Sequence, residues 1–452
     1  MNDLSSEIRL SADVMLGAAL DIASELLECG AEIQRIEDTV NRICTAYGAV
    51  KVDVFAITSL ITATVSMPDG YHKTQTRRVY TTHTDFRRIE ELNALSRSIC
   101  ESIPEPYELE KLVKKHRTEG RKNYVTRYVG ACVMVAAFTV FFGGGAFDAL
   151  AASAVSLIMM TMIVFKPRWA NDIAHTVLCS LAGGLLCLGL YAAGLGANAD
   201  AIMIGTIMLL VPGADVGNSM RDLLCGDIAS GSMRLIRTLL SSTAIAVGYS
   251  IAILLGNALR LLGDYEPAVV AGSGVGAFST GMMLLYIIAG LIGTFGYSMT
   301  NRVRAIRIPF VLLGGLLTVA CWYWVCLFTE NLFLSNMAAA MLATLYAEIT
   351  ARLTKAPTTI YLIPAVIPLV PGGRLYYSML GIVRSDFQSF AAFAKDTFFI
   401  ALGIAVGIVI VTSVAGYIFR IIRSMRRGGR AAKRAAKEKK PEKAKKAKKE
   451  KR

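Results

Sequence analysis

The tetrapeptide Leu-Val-Pro-Gly occurs twice, at Leu210–Gly213 and Leu369–Gly372, each time near the end of an apolar stretch. The echo runs on without a gap. Thirty-seven residues past each leucine the chain reads Val247-Gly248 and Val406-Gly407, inside Ala-Ile-Ala-Val-Gly and Gly-Ile-Ala-Val-Gly. Proline deletes a backbone donor and clashes with the preceding turn, so a regular helix does not pass through it. Apolar segments broken by Pro and Gly at matching places in two halves are the sequence mark of paired discontinuous helices, the usual cargo site of a carrier. The repeat therefore demands two copies of one apolar unit.

The apolar excess is large and localised. Of 452 residues 54% are hydrophobic, and the mean hydropathy is +0.49. A soluble domain of this length is more polar and breaks its apolar residues into shorter runs. Up to residue 123 the chain reads as an ordinary soluble domain, long enough to bury its own core. The formal net charge of +14 is localised too: residues 420–452 carry 17 Lys or Arg against three Glu, leaving 31 basic and 31 acidic residues elsewhere. A basic partner-binding surface is thus a property of the tail. Nine scattered cysteines without a Cys-x-x-Cys pair read as buried free thiols. Four histidines, at 72, 83, 116 and 175, give a metal site no support. Met1–Arg9 leads straight into an amphipathic pattern, so no signal peptide is read there.

Ile8, Met15, Ala19, Ile22 and Leu26 keep helical spacing up to Gly30, and Ile33, Ile36, Val40 and Ile43 do so up to Gly48. Val50, Val52 and Val54 alternate as a strand does. Residues 60–67 form a second strand, Pro68-Asp69-Gly70 a turn and Arg77–Thr82 a third strand. Phe86, Ile89, Leu92, Leu95 and Ile99 return to helical spacing, and a polar connector, Glu101–Asn123, leads to the apolar part. Ten apolar spans follow, near 126–143, 147–165, 175–193, 201–212, 238–256, 277–299, 308–325, 334–351, 358–371 and 398–419. A full crossing takes about 20 residues. The fourth and ninth spans are too short, and they are the two that end in Pro-Gly.

The fold expected is a polytopic α-helical membrane protein with about ten transmembrane helices in two inverted five-helix repeats, preceded by a cytosolic α+β domain. Its divisions fall at 1–123, 124–262, 263–419 and a disordered polybasic cytoplasmic tail, 420–452. With both termini cytoplasmic, inner loops hold ten basic residues (Lys166, Arg168, Arg221, Arg234, Arg237, Arg302, Arg304, Arg307, Arg352, Lys355) and outer loops four (Arg260, Arg374, Arg384, Lys395). Five spans per half is an odd number, which inverts one half relative to the other.

Between the fourth and fifth spans, Pro212, Gly213, Asp215, Asn218, Arg221, Asp222, Gly226, Asp227 and Ser230 mix with Leu223, Leu224 and Ile228. This pattern reads as a short helix dipping into a cavity and bringing carboxylates to a substrate, or as a cytoplasmic loop helix with solvated acids. The second copy carries Pro364, Pro368 and Pro371, then Gly372, Gly373, Arg374 and Tyr376. Arg374 could meet a substrate carboxylate there, with Tyr376 or Tyr377 closing over it; alternatively these residues anchor the membrane interface. Ala244-x-x-x-Gly248 and Gly403-x-x-x-Gly407 suit close helix packing. Glu348, inside the eighth span, is a proton-carrier candidate or the partner of Arg352. Gly272-Ser-Gly-Val-Gly276 lacks the strand and helix a nucleotide loop needs. No Gly-Lys dipeptide occurs, so ATP is not the expected energy source. The tail should attract anionic lipid headgroups. It has no aromatic residues to stack bases, which argues against a nucleic-acid partner.

Gly30, Glu32, Arg35, Glu37, Thr39 and Arg42 together resemble the N-terminal signature of the threonine/serine exporter family. Leu210–Gly213, Arg221-Asp222, Gly226-Asp227 and Ser230-Gly231 resemble the motif of that family's first membrane half, and Ile367–Gly373 with Tyr376 that of its second. The resemblance covers roughly residues 8–420. It implies a secondary exporter of the cytoplasmic membrane, neither an enzyme nor a cofactor protein, moving threonine and serine on proton-motive force. In some two-component relatives small dicarboxylates such as succinate are the substrates. The chain departs from the pattern at Thr58-Ser59-Leu60, where many relatives have Thr-Pro-Thr, and in its lysine-rich tail. A channel, or a membrane sensor or scaffold, is the alternative of a different class. Homo-oligomerisation stays open.

Overall fold

The computed structural model describes residues 2–118, 124–167, 170–224, 226–259 and 280–417. The basic tail, Arg168, Arg260 and the segment Gly272–Gly276 lie outside the described residues, as does the side chain of Arg221.

The N-terminal region is built as its periodicity requires. Helix α1 (Asn2–Glu28) buries Met15, Ala19, Ile22 and Leu26, and α2 (Ile33–Ala46) buries Ile33, Ile36, Val40 and Ile43. Each of these side chains other than Ala19 contributes roughly 1.5–3 kcal/mol when removed from water. Strands β1 (Lys51–Ile57), β2 (Leu60–Ser66) and β3 (His72–Arg78) form one antiparallel sheet in that order. Ile61, Ala63 and Val65 of the central strand face the core.

Two expectations need correction here. The third strand starts at His72 and not at Arg77, because its inward face is charged and lacks the apolar alternation of its neighbours. Lys73 pairs with Asp13 at 2.9 Å and Arg77 with Asp21 at 2.8 Å, both on α1. The polar connector is not a plain linker either. After α3 (Phe86–Ser102), it contains α4 (Pro106–Thr118), whose Leu109 and Val113 are buried in the N-terminal core.

The remaining helices are α5 (Tyr124–Phe141), α6 (Ala146–Val164), α7 (Asp172–Ala192), α8 (Ala199–Ile207), α9 (Gly213–Leu224), α10 (Ile228–Ala258), α11 (Thr280–Thr300), α12 (Ile308–Thr329), α13 (Leu332–Thr354), α14 (Thr359–Val366), α15 (Gly372–Val383) and α16 (Phe387–Tyr417). Eight of them are long and apolar enough to cross a membrane, and a bent pair, Thr359–Leu369 with Gly372–Val383 at 47°, brings the number to nine. The fourth expected span is α8, nine residues and all of them buried. A helix wrapped in protein need not reach both membrane faces. Broken backbone is tolerated at depth for the same reason.

The repeat continues from sequence into structure. The bounds of α9 and α10 recur 159 residues later as those of α15 and α16. Counterpart helices α5 and α11 pack side by side and antiparallel. A Cβ at Gly130 would lie 2.5 Å from the Thr300 nitrogen, and one at Gly296 would lie 2.4 Å from the Met134 nitrogen. Gly248 presses on Ser180 of α7 and Gly407 on Met337 of α13 in the same way, as the small-residue spacing requires.

Candidate functional site

The two Leu-Val-Pro-Gly segments touch. A Cβ at Gly213 would sit 2.8 Å from Ile367 Cδ1, and one at Gly372 would sit 2.7 Å from Met208 Sδ. Met208 and Ile367 are themselves counterparts in the repeat, so one contact is made twice with the halves exchanged. In both copies the glycine nitrogen donates to the carbonyl two residues back, Gly213 to Val211 and Gly372 to Val370, each at 2.8 Å. Pro212 and Pro371 stand between these groups. Pro364 lies inside α14 and Pro368 in the tight turn that follows it. Gly373 packs beside Phe142 of the first half.

Beside the crossing lies a buried acid that hydrophobic spacing does not single out. Asp200, in the first turn of α8, is 1% exposed and accepts a 2.6 Å hydrogen bond from the hydroxyl of Tyr376, also 1% exposed. One residue comes from each half. Its mark in the sequence is an acid directly before Ala201-Ile-Met-Ile, at the edge of the apolar span that begins at residue 201. Arg374 does not wait open for a substrate carboxylate: it pairs with Asp396 of α16. Glu348 likewise pairs with Arg352, at 2.6 Å.

The first broken segment meets the expectation of a helix dipping into a cavity only at its start, where Asp215 lines one. α9 docks on the N-terminal region, and two motifs read separately in the sequence meet there. Asn218 donates to the Gly30 carbonyl at 3.0 Å, and the Ile33 nitrogen donates to Asp222 at 3.3 Å. Asp222 thereby caps α2 from another part of the fold, where the helix dipole favours a carboxylate. Arg234 of α10 lies 3.3 Å from Asp222 and 3.6 Å from Asp215, and donates to the Ala31 carbonyl. Ser230 donates to the Ala56 carbonyl at 3.1 Å. Burial pushes the Asp222 carboxyl up to about 6, against the opposing pull of Arg234 and the Ile33 N–H. Burial also raises Asp227, which stands just before α10 beyond Gly226.

Of the N-terminal motif, Gly30 and Glu32 lie at this junction, with Glu32 beside Arg35 at 3.7 Å. Glu37 accepts the Ala56 N–H, Thr39 donates to the Arg35 carbonyl within α2, and Arg42 is exposed away from the core. Further along, Asp85 pairs with Arg302 at 2.7 Å and Glu90 with Arg307 at 2.9 Å, while Arg97 donates to the Lys355 carbonyl. The N-terminal region thus sits across helix ends of both halves.

Between the Thr82–Asp85 loop, the ends of α5, α6 and α7, and Leu209–Leu210 lies a cavity of about 520 Å³. It joins the N-terminal side of the molecule to the first break. Among the described residues no group of His, Cys, Asp and Glu could hold a metal ion.

Residues 18–256 match the family model for threonine/serine exporters, and residues 286–414 match a second, described as Threonine/Serine exporter, ThrE. The chain belongs to the threonine/serine exporter family. It is similar to a threonine/serine exporter of Corynebacterium glutamicum, with 23% identity over 413 residues, covering 87% of this chain and 81% of that protein. No solved structure matches it. This family is one of transporters, and the helices above make the chain a multi-pass membrane protein.

Proposed function

We propose that the chain is a secondary carrier exporting threonine and serine across the cytoplasmic membrane on proton-motive force, built as two inverted five-span repeats with both termini in the cytoplasm. The reciprocal contact between the two breaks carries this reading. Paired discontinuous helices crossing at a common point are the arrangement from which such carriers build a binding site. The antiparallel packing of counterparts α5 and α11 supports the inversion. Lys166, Arg237, Arg302, Arg304, Arg307 and Lys355 lie on the side of the N-terminal region, which supports its cytoplasmic placement.

Substrate binding and gating in this reading fall to the two breaks: Pro212, Gly213, Asp215, Asp227, Gly372, Gly373 and Tyr376. Asp200 is the proton-carrier candidate, since an intramembrane acid held by a donor from the opposite half feels any rearrangement between the halves. Asp222 and Arg234 act as a latch holding α9 to the N-terminal region. A small dicarboxylate is the second reading: four cations against three carboxylates line the cavity wall, an excess that one carboxylate of such a substrate would meet as well as that of an amino acid.

Counterflow in proteoliposomes tests both readings. With threonine, serine or succinate loaded inside, saturable entry of the matching label is expected for an amino acid. Entry of succinate alone selects the second reading, and entry of none by correctly inserted protein rejects the carrier. Asp227→Asn is expected to abolish flux at unchanged expression; full activity removes Asp227 from the mechanism.

A further inference from the structure

The cavity at the first break has a wall in which Asp85 and Asp172 are engaged, Asp215 is only loosely paired, and one cation lacks a hydrogen-bonded partner. Asp85 is taken at both oxygens, by Arg302 and by the Arg88 N–H. Asp172 holds Lys166 and Arg237. Asp215 leans toward Arg234, at the long distance of 3.6 Å. Arg127, in the first turn of α5, lines the same space; the carboxylate that acts on it, Asp85, is already paired with Arg302, and no hydrogen bond holds the Arg127 side chain among the described residues. Its Nε is closed off from solvent without an acceptor.

An ionised group in a membrane helix is expensive and normally finds a partner within the protein. An arginine at the mouth of a cavity whose nearby carboxylate is already held by another arginine is suited to receive an anionic ligand. Its planar fork matches a carboxylate through two parallel N–H···O bonds. The volume, about 520 Å³, falls in the range of small-molecule sites. Thr82, Thr176 and Ser241 add hydroxyls to the wall, and Leu209–Leu210 lead from it to the break.

We infer that this cavity is the intake site for a small α-amino acid, and that Arg127 binds the substrate carboxylate. The inference rests on the carrier reading above and names the residue that selects its cargo. Asp215, whose ion pair is long and whose side chain is 40% exposed, is the acceptor for the ammonium group. The hydroxyls suit a hydroxylated side chain.

Calorimetric titration of the purified full-length protein tests the assignment without requiring flux. Threonine, threonine amide and succinate are the probes. Wild type should bind threonine at least about tenfold more tightly than its amide, the scale of a charge-assisted hydrogen bond. Arg127→Gln should lose that preference, and Arg127→Lys should regain part of it. The Arg127→Gln unfolding midpoint should equal or exceed wild type, since Asp85 keeps Arg302 and the Arg88 N–H as partners; this separates lost binding from lost folding. Equal affinity for threonine and its amide in wild type, or an unchanged preference in Arg127→Gln, overturns the inference. So does a wild type that binds no amino acid. Counterflow on the same samples keeps the two readings apart. Flux that Arg127→Gln leaves unchanged sinks the intake assignment and spares the carrier, whereas no flux in wild type sinks the carrier itself.

Discussion

The two breaks share a backbone and differ in what they hold. After α9 the chain turns at Gly226 with φ +94°, and after α15 at Ser385 with φ +58°. In each turn the following aspartate nitrogen closes the same loop, Asp227 to the Asp222 carbonyl at 3.0 Å and Asp386 to the Gly381 carbonyl at 2.8 Å. The side chains then diverge. Where the first copy has the acid Asp215 near Arg234, the second has the base Arg374 paired with Asp396, so the charge at the corresponding position is reversed. Asp222, which caps α2 from outside, corresponds to Gly381, which packs against the α16 backbone. One frame therefore serves two purposes: the first copy is bolted to the N-terminal region, and the second reaches across with Tyr376 to the buried acid of the first half. The lesson is that the repeat keeps the backbone turn while its side-chain attachments differ.

The sharpest way to break this contrast is to remove its buried cation. Arg234→Ala strands Asp222 against α2 and should cost about 3–5 kcal/mol. Hydrogen exchange should show lost protection at Gly30–Ile33. Arg374→Ala, at a more exposed pair, should cost about 0–1 kcal/mol and leave that protection intact. Equal effects of the two would mean that the first break is not a latch.

Tyr376→Phe comes next. It removes a buried donor from Asp200 and should lower stability by about 1–3 kcal/mol, read from the unfolding midpoint of the purified protein. The crossing itself is tested by Gly213→Ala and Gly372→Ala. Each adds a methyl against the movable end of Ile367 or Met208, so each should cost about 1 kcal/mol, at the low end of overpacking. A cost at one glycine and none at the other would refute the reciprocity.

The latch should also answer to pH. The Asp222 carboxyl is raised to about 6 from an unfolded value near 4, so across that window the folded protein holds the extra proton. Stability then falls as pH rises from about 4 to 6, on the order of 1 kcal/mol per unit at most, and is flat above. Thermal unfolding of wild type across pH 4–7 should show that slope on top of the contributions of other groups, and Asp222→Asn should flatten it. The smallest effect concerns the turns. Gly226→Ser should cost about 1 kcal/mol for placing a side chain in the left-handed region, and Ser385→Gly should gain a similar amount or less.

The sequence by itself determined the parts. The doubled Leu-Val-Pro-Gly marked both breaks, the periodicity of Ile33, Ile36, Val40 and Ile43 drew α2, and the apolar runs drew the long helices. These are local properties, written in the order of neighbouring residues. Strand β3 escaped because its inward contacts are ion pairs to α1, and α4 because two buried side chains sufficed to dock it. What only the tertiary structure decided is who meets whom. Asn218 and Asp222 lie nearly 190 residues from Gly30 and Ile33, and Tyr376 lies 176 from Asp200. No pattern of spacing joins such partners, because a hydrogen bond depends on distance in space, and packing alone sets that.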